Sequence, residues 1–394
     1  MIDLDRFKHV NDSLGHGVGD RLLELAAARI SSATRADEEV IRMGGDEFVV
    51  LHGGPDIRVV EAIASRMIEF LGRPFLVEGH QVHIGASIGI AVLHDGSDSA
   101  GVLLRHADLA LYEAKAAGRG TCRFFRPVLA QRADERRDLE TRVRRAMALR
   151  ELSLHYQPQV SADDGRVTGF EALLRWTNDV DGAVGPATLI PIAEEIGEIH
   201  AIGEWVLNEA CRTATTWPES LRVSVNVSPV QFERTDFPEV VDRALERSGL
   251  PGERLEIEVK ESVLFSGSPT VLDSLDAVSA LGVQIAIDDF GTGLAALARI
   301  ESFPFSSIKI DQSFVRGPRA EQSARFVGGL IAMAHRLGLK AIAEGIETAA
   351  QADLLVAEGC TELQGYLIAR PMPADEVAGF IDDRPTTDEQ GDSA

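Results

Sequence analysis

The chain contains 394 residues, 45% of them hydrophobic and 26% charged, a composition typical of a soluble globular protein with two or three domains. Its 62 acidic and 39 basic side chains give a formal net charge of −23, which excludes general binding to the backbone of a nucleic-acid polymer. No apolar run reaches about 18 residues, so we expect no membrane span, and the three widely spaced cysteines indicate reduced, buried thiols in a cytoplasmic protein.

Residues 1–125 alternate strand and helix patterns, which predicts an α/β domain with a mixed sheet. The glycine-rich stretch from Gly15 to Gly19 separates two predicted helices. The sequence Gly44-Gly45-Asp46-Glu47 lies between two apolar runs and predicts a β-hairpin. The predicted strands cover residues 2–5, 40–43, 48–51, 75–78, 82–93 and 121–125, and the predicted helices cover residues 7–14, 21–30, 56–71 and 100–117.

Residues 126–150 are rich in arginine and in acidic side chains, and they carry a single apolar stripe. This pattern predicts a charged connector helix, whose basic residues suit either a solvated helix face or a surface for a partner. Residues 383–394 are polar and acidic, so we expect a disordered tail.

Strand and helix patterns alternate again over residues 151–382, and eight predicted strands within this length are typical of a TIM-like (β/α)8 barrel. A doubly wound open sheet is the alternative. The barrel is favoured because polar residues follow so many separate strands. The predicted strands cover residues 153–160, 167–174, 222–227, 255–260, 283–288, 307–310, 339–343 and 361–364, with helices over 188–214, 236–249, 270–281, 321–337 and 348–358.

Adjacent carboxylates, Asp288 and Asp289, follow an apolar strand and precede Gly291 and Gly293. An isolated pair of this kind is also common at a helix N-terminus. Here many strands end in polar side chains, and the carboxyl ends of barrel strands meet at one face. Mg²⁺ or Mn²⁺ would explain a ring of buried acids, and salt bridges between barrel layers are the alternative. The polar strand ends are Glu171, Asn226, Glu258, Asp288 with Asp289, Lys309 with Asp311, Glu344 with Glu347, and Gln364.

In residues 255–260 apolar and charged residues alternate, so the apolar side chains lie on one face of this strand and the charged side chains on the other. The apolar set would face the helices, so Glu256, Glu258 and Lys260 would point into the barrel. Lys260 could pair with a carboxylate of the metal site or compete with a cation. Alternatively, its long stem brings the charge to solvent at the rim.

Several motifs in residues 150–381 have the order and spacing of a known domain: Tyr156-Gln157-Pro158, Glu171-Ala172-Leu173-Leu174-Arg175-Trp176, Asn226-Val227-Ser228, Asp288-Asp289-Phe290-Gly291-Thr292-Gly293, Lys309-Ile310-Asp311, Ala343-Glu344-Gly345-Ile346-Glu347, Gln364-Gly365-Tyr366 and Arg370-Pro371-Met372-Pro373. Together they resemble the EAL domain, a cyclic di-GMP phosphodiesterase. The resemblance implies hydrolysis of one phosphodiester bond to give linear pGpG, with a pair of Mg²⁺ or Mn²⁺ ions at the site.

The resemblance also implies a role for each matching residue. Lys309 would position or activate the attacking water, and Glu344 would hold that water or act as the base. Arg175 would bind a ligand phosphate and Gln157 the guanine, while Asp311 and Gln364 would support substrate binding. The implied metal ligands are Glu171, Asn226, Glu258, Asp288, Asp289 and Glu347, and Glu261 and Lys260 would act in support.

This chain departs from the EAL pattern at two places. Lys260 stands where the family usually has threonine, and Leu294-Ala295-Ala296 stands where it usually has Tyr-Ser-Ser. The loop loses its hydroxyl groups, and in the family it connects the metal site with the dimer surface. We therefore expect a slow phosphodiesterase. The resemblance also implies that the protein forms a homodimer.

Residues 1–125 contain a second set of motifs: Asp3-Leu4-Asp5-Arg6-Phe7-Lys8-His9-Val10-Asn11-Asp12, Gly15-His16 with Gly19-Asp20, Arg42-Met43-Gly44-Gly45-Asp46-Glu47-Phe48, and Ala107-Asp108 with Leu111-Tyr112 and Ala114-Lys115. They resemble the GGDEF domain, a diguanylate cyclase of the nucleotidyl-cyclase-like fold. The resemblance implies that Asp3 and Asp46 hold Mg²⁺ and that Glu47 assists deprotonation of the ribose hydroxyl. Asn11 and Asp20 would read guanine, and the phosphates of GTP would contact Lys8, Lys115 and Arg119.

Relative to this family, residues 1–125 lack one N-terminal helix and turn, so we expect GTP binding with weak or lost cyclase activity. The feedback motif Arg-x-x-Asp is represented by Arg35 and Glu38, which leaves product inhibition open. Two functions remain as alternatives for the chain. It is either a cyclic di-GMP phosphodiesterase with a GTP-binding module, or a catalytically degenerate receptor for cyclic di-GMP and GTP that signals to a partner protein.

Overall fold

The computed structural model describes residues 1–35, 38–54, 56–93, 99–265, 269–291, 303, 305–315 and 320–383. The chain divides into two compact units, Met1–Leu139 and Glu140–Ala394. Among the described residues, no helix is both long enough and apolar enough to cross a membrane.

The first unit contains a five-stranded mixed sheet with the strand order β2-β3-β1-β6-β7. Strand β1 lies antiparallel to both β3 and β6, whereas β6 and β7 are parallel, which confirms the predicted mixed α/β sheet. The strands are β1 (Ile2–Asp5), β2 (Glu39–Gly44), β3 (Glu47–Leu51), β4 (Phe75–Val77), β5 (His80–Val82), β6 (Gly85–Ile90) and β7 (Cys122–Phe124). The helices are α1 (Phe7–Leu14), α2 (His16–Ala33), α3 (Ile57–Gly72), α4 (Ala100–Ala116) and α5 (Pro127–Ala146).

Two details of the first unit differ from the predicted elements. Only Gly15, at φ 87°, interrupts the helical pattern, and Gly17 and Gly19 lie inside α2. The long strand predicted over residues 82–93 is divided, because β5 ends at Val82 and β6 begins at Gly85. In β6, Gly89 lets α4 pack directly on the sheet, since a Cβ atom there would lie 2.0 Å from the Ala107 carbonyl oxygen.

The second unit is a closed barrel of eight strands, which confirms the predicted fold class and excludes the open sheet. The strand order is β9-β11-β12-β13-β14-β15-β16-β8, and the pairing of β8 with β9 closes the ring. The strands of this unit are β8 (Leu152–Ser161), β9 (Val167–Asn178), β10 (Gly182–Val184), β11 (Arg222–Val227), β12 (Leu255–Lys260), β13 (Gln284–Phe290), β14 (Ser307–Ile310), β15 (Lys340–Ala343), β16 (Glu362–Gln364) and β17 (Met372–Pro373).

Strand β8 runs antiparallel to both of its barrel neighbours, whereas the other barrel pairs are parallel. The reason is local: β8 and β9 are joined by a tight turn closed by the Ser161 N–H to Arg166 carbonyl hydrogen bond, and so short a connection can join only antiparallel strands. A regular (β/α)8 barrel would have all its strands parallel.

Helices cover the outside of the barrel, and three short 3₁₀ turns, Pro229–Glu233, Gly252–Arg254 and Glu261–Phe265, follow or precede its strands. The single helix predicted over residues 188–214 is two helices, because Gly197 takes φ 78° between them. Within the described part of this unit, the helices are α6 (Pro186–Glu195), α7 (Ile199–Ala214), α8 (Phe237–Ser248), α9 (Pro269–Ala280), α10 (Gln312–Val315), α11 (Ala320–Arg336), α12 (Ala349–Ala357) and α13 (Ala374–Asp382).

Candidate active site

Lys309 lies at the centre of a carboxylate cluster inside the barrel. Its side chain is fully buried on β14, and its Nζ lies 2.6 Å from Glu344 Oε1, 2.7 Å from Glu258 Oε2 and 3.2 Å from Glu171 Oε2. Burial alone would lower the pKa of Lys309, but the surrounding carboxylates outweigh that effect and hold its pKa well above the ordinary value. Lys309 is therefore an ammonium ion that neutralises part of the cluster.

Glu171, on β9, is fixed by side chains from two other strands. Asn226 Nδ2 donates to Glu171 Oε1 at 2.5 Å, and Gln364 Nε2 donates to Glu171 Oε2 at 2.6 Å. Burial alone would raise the pKa of Glu171, but Lys309 and the two amide donors together hold it below its ordinary value. Glu171 is thus a carboxylate with a fixed orientation, and the amide nitrogen of Asn226 is used for this contact, which leaves its oxygen as the available ligand atom.

Glu258 and Asp288 carry the unsatisfied oxygens of the cluster. Neither carboxylate oxygen of Glu258 accepts a hydrogen bond, although Oε2 lies close to Lys309, and Asp288 Oδ1 is also buried without one. Burial, reinforced by neighbouring carboxylates, raises the pKa of Glu258 and of Asp288, and burial raises the pKa of Glu344 to about 8. Buried oxygens of this kind are costly unless a cation or a proton compensates them.

The donor chemistry of the cluster fits Mg²⁺ or Mn²⁺, because it consists of carboxylate and amide oxygens with unsatisfied acceptor capacity. In the present arrangement, the described part of the chain contains no group of three or more His, Cys, Asp or Glu side chains placed to hold a metal ion. The ammonium of Lys309 instead lies between three of the carboxylates. Metal binding would therefore need Glu258 and Asp288, which carry the unsatisfied oxygens, to turn towards the ion, while Glu171 stays fixed by its amide donors.

Asp288 and Asp289 lie at an irregularity in the barrel wall. The register between β13 and β14 shifts between Ile287 and Phe290, and Asp289 takes the left-handed conformation at φ 53°. Non-glycine residues adopt this conformation at a cost, and bulges of this kind redirect side chains beside functional sites. Glu261 supports the turn by accepting the Gly291 N–H at 3.1 Å.

Both alternatives that the sequence left open for Lys260 hold, since its charge reaches solvent and also pairs with a carboxylate of the site. Its side chain is 59% exposed at the rim, and its Nζ lies 3.3 Å from Asp289 Oδ2. The strand pairing places Lys260 opposite Asp288. The ammonium group of Lys260 is thus ion-paired with Asp289, one of the predicted metal ligands.

Below the cluster is a second buried polar layer. Its acids form salt bridges, which was the alternative to a metal site that the sequence left open. Arg222 pairs with Glu256 and Glu362, and Glu256 also accepts hydrogen bonds from Ser224 and Ser307, each at 2.9 Å. The strand parity that placed Glu256 inside the barrel also applies to Arg222 on β11 and to Gln159 on β8. The sequence reasoning missed both of these residues, although the same alternation could have identified them.

The remaining residues predicted for this site lie around the cluster. Gln157 is buried, donating to the Ala369 carbonyl at 3.2 Å and accepting from Gln364 at 3.3 Å. Burial lowers the pKa of Arg175, which donates to the Leu174 carbonyl. Asp311 accepts the Ser313 N–H at the start of α10, and Glu347 is exposed, with its N–H donating to Gln351.

In the first unit, Asp3 on β1 and Lys115 on α4 form an ion pair with Asp3 Oδ2 at 2.6 Å. Burial raises the pKa of Asp3, and Lys115 opposes that rise only in part. Asp5 lies on the same side of β1, buried, and accepts from Ser87 Oγ at 2.8 Å and the Gly120 N–H at 3.2 Å. Asp5 was missed as a supporting residue, although the alternation along β1 places it beside Asp3.

The other residues predicted for the first unit lie nearer the surface. Asp46 and Glu47 are half-buried in the β2–β3 hairpin, whereas the predicted GTP contacts Lys8, Asp20 and Arg119 are exposed. Asn11 lies against the backbone of Gly19, and its Oδ1 is buried without a hydrogen bond.

Some positions discussed from the sequence lie outside the described residues. They are Thr292 and Gly293 at the end of the Asp-Asp motif, the following Leu294-Ala295-Ala296, the middle of the feedback motif at Ala36 and Asp37, and the tail from residue 384 onward.

Comparison with known proteins identifies both units. The family model of the EAL domain matches residues 140–371, and the family model of the diguanylate cyclase GGDEF domain matches residues 1–121. An uncharacterized signaling protein of Caulobacter vibrioides is 44% identical over 379 residues, which are 95% of this chain and 47% of that protein. The bifunctional diguanylate cyclase/cyclic di-GMP phosphodiesterase MucR of Pseudomonas aeruginosa is 39% identical over 386 residues, 97% of this chain and 56% of that protein.

The chain therefore spans about half the length of these curated relatives. Among solved structures, the MucR phosphodiesterase in complex with cyclic di-GMP is 40% identical, with a TM-score of 0.59. It covers 61% of this chain and 99% of that chain.

Proposed function

This chain belongs to the EAL family and carries a GGDEF domain ahead of its EAL domain, and on that premise we propose that its barrel hydrolyses cyclic di-GMP to linear pGpG. The observation that carries the proposal is the convergence of Glu171, Glu258 and Glu344 on Lys309 inside the barrel. A buried ring of acids with unsatisfied oxygens is costly for a purely structural protein, and it suits a site that binds cations and a phosphodiester.

Glu171, Glu258, Asp288 and the oxygen of Asn226 would hold a divalent cation, and Asp289 with Glu347 would serve a second one. When bound, such ions lower the pKa of water and stabilise negative charge on phosphoryl oxygens. Asn226 and Gln364 keep Glu171 oriented for this task. Arg175, half-buried near Tyr366 and Glu171, would bind a phosphate of the ligand.

The chain's own residues would also orient the nucleophile. Lys309 stays protonated, so it donates hydrogen bonds and holds water rather than removing its proton. Of the three acids around Lys309, Glu344 is the most accessible, with 19% of its side chain exposed against 8% for Glu171 and 0% for Glu258. We assign to Glu344, in its ionised form, the acceptance of the proton from the attacking water.

For the first unit we propose binding of GTP with Mg²⁺ and weak or no cyclase activity. Asp3 and Asp46 would hold the ion, and Lys115, already paired with Asp3, would turn to the phosphates. Two such domains must face each other to join two nucleotides, so any cyclase activity would require a dimer.

The test is to incubate the purified chain with cyclic di-GMP and Mg²⁺ or Mn²⁺ and to separate the products by chromatography. We expect linear pGpG from the wild-type protein and none from Glu258→Gln, which keeps the side-chain volume but loses the charge. A parallel incubation with GTP measures cyclase activity. Tight binding of cyclic di-GMP without any hydrolysis would favour the receptor function, which the Lys260–Asp289 contact supports.

A further inference from the structure

Gln159 connects the two buried polar layers of the barrel. It is completely buried on β8, and Arg222 Nη2 donates to its Oε1 at 2.8 Å. Its Nε2 donates in turn to Gln364 Oε1 at 3.0 Å, and Gln364 Nε2 donates to Glu171 Oε2 at 2.6 Å. A continuous chain of hydrogen bonds therefore runs from the guanidinium of the lower layer to a carboxylate of the candidate metal site.

The two ends of this chain fix the direction of every hydrogen bond in it. A glutamine amide can usually be turned by 180° with little penalty, because its oxygen and nitrogen have the same shape. A guanidinium only donates, so Gln159 must direct its oxygen towards Arg222 and its nitrogen towards Gln364. An ionised carboxylate only accepts, so Gln364 must direct its nitrogen towards Glu171.

The donor end of the chain is itself fixed in place. Both terminal nitrogens of Arg222 donate to the carboxylate of Glu362, and Arg222 Nε lies 3.5 Å from Glu256 Oε1. Burial alone would lower the pKa of Arg222, but the two glutamates raise it above its ordinary value, so the guanidinium keeps its charge. The direction of the chain is thus set by a group that cannot change its role.

We propose that Gln159 is a positioning residue of the phosphodiesterase site, which sets the orientation of Gln364 and through it the carboxylate of Glu171. This inference rests on the proposed function, since Glu171 is one of the residues assigned to the cation. A side chain that directly contacts a metal ligand, as Gln364 contacts Glu171, is typically worth about 10- to 100-fold in metal affinity or activity, and Gln159 acts through that contact.

Two substitutions separate this role from simple packing. In Gln159→Glu the introduced carboxylate, ionised beside the charged Arg222, can accept from Arg222 but cannot donate to Gln364. The Gln364 amide must then turn, and its oxygen faces the carboxylate of Glu171. In Gln159→Met both hydrogen bonds are lost while the volume is nearly kept, and Gln364 remains able to donate to Glu171.

We would measure Mn²⁺ binding to the metal-free protein by electron paramagnetic resonance, and the Mn²⁺ concentration dependence of cyclic di-GMP hydrolysis. Denaturant unfolding of each variant in the absence of metal gives its stability. We expect Gln159→Glu to weaken Mn²⁺ binding about 10-fold or more, and Gln159→Met to weaken it by a few-fold, with its activity recovered at high Mn²⁺. Gln284→Glu is the matched control, because Gln284 lies on barrel strand β13, where its amide donates to the Glu253 carbonyl, and we expect no change in Mn²⁺ affinity.

Mn²⁺ affinity that is equal to wild type in Gln159→Glu, or that falls only in proportion to lost stability across the variants, would overturn the positioning role. If Gln159→Glu does not fold, Gln159→Met decides alone. A few-fold loss in affinity with recovery at high Mn²⁺ supports the role, and an unchanged affinity overturns it. A wild-type protein that binds Mn²⁺ without hydrolysing cyclic di-GMP would overturn the proposed function and leave the Mn²⁺ measurements as the test of Gln159.

Discussion

The two units hold their candidate site residues in opposite ways. In the barrel, Glu171, Glu258 and Lys309 are buried and fixed by contacts from several strands. In the first unit, most of the predicted nucleotide contacts are exposed or half-buried, and the ion pair between Asp3 and Lys115 involves a lysine that is 33% exposed.

The two sites therefore hold their charged side chains in position by different means. A buried charge is costly unless it is paired, so the barrel must satisfy its acids even without a ligand, and Lys309 does so. An exposed charge is solvated by water, so a surface site can leave its side chains to be ordered by the nucleotide. We therefore expect substitutions in the barrel site to affect both folding and chemistry, and substitutions in the first unit to affect mainly ligand binding.

The strongest test of this comparison is Lys309→Met. Removing the ammonium leaves three buried carboxylates facing one another, and we expect a loss of about 3–5 kcal/mol in the free energy of unfolding without metal. Hydrolysis of cyclic di-GMP should fall by at least on the order of 10²–10³-fold. Mn²⁺ should stabilise this variant more than it stabilises the wild type, because a cation then replaces the lost charge.

The control for Lys309→Met is Lys340→Met, which removes a lysine from the neighbouring strand β15. Lys340 is 46% exposed and lies 3.6 Å from Glu362, so its loss should cost no more than about 1 kcal/mol. Denaturant unfolding with and without Mn²⁺ measures both variants. Equal stability of the two would show that the acids around Lys309 are not held by its charge.

The sequence predicted the architecture of both units because strand parity and turn glycines report local geometry. The alternation in residues 255–260 correctly placed Glu256 and Glu258 inside the barrel. It could not show that the ammonium of Lys309 lies between Glu171, Glu258 and Glu344, because that arrangement depends on how four separate strands meet. The antiparallel direction of β8 was missed although the sequence carried its signal, because only residues 161–166 separate the predicted strands 153–160 and 167–174, too few for a parallel crossover.

The next test uses the guanine contact that is predicted for the first unit. A Cβ atom at Gly19 would lie 1.8 Å from Asn11 Oδ1, so Gly19→Ala must displace the Asn11 side chain. Because the Asn11 side chain can move and the Phe7 ring, 3.3 Å from the added Cβ, needs to shift only slightly, we expect the clash itself to cost little stability. GTP affinity should fall by about 10-fold, the value of one good hydrogen bond.

Gly17→Ala provides the matched control, because it lies in the same helix and its added Cβ would meet nothing within 4 Å. Both substitutions should gain a few tenths to about 1 kcal/mol from higher helix propensity. Isothermal titration with GTP and Mg²⁺ compares the two. Equal GTP affinity in both variants would remove Asn11 from the nucleotide site.

A smaller effect is expected from Lys260→Thr at the rim of the barrel. The Lys260–Asp289 ion pair is largely exposed, so its energy is screened by water and is worth at most about 1 kcal/mol. Releasing Asp289 should therefore raise Mn²⁺ affinity or turnover by no more than about 5-fold. Lys260→Arg keeps the charge and should resemble the wild type. A much larger gain in turnover would mean that Lys260 blocks the site itself, and no change would remove it from any role there.

The smallest expected effect concerns the alkylation rates of the three cysteine thiols. These rates report how tightly each unit is packed without any change to either site. Burial raises the pKa of Cys211 and of Cys360 to about 12, and both are fully enclosed in the barrel unit. Cys122, in the first unit, has its pKa raised by burial as well, but it is only half-buried. Iodoacetamide reacts with exposed thiolates, so the native protein should be alkylated first at Cys122, and at Cys211 and Cys360 only after unfolding. Mass spectrometry of the labelled peptides measures the three rates. Alkylation of Cys211 or Cys360 as fast as that of Cys122 would show that the barrel unit opens as readily as the first unit. The contrast between buried, fixed residues in one unit and exposed residues in the other would then lose its basis.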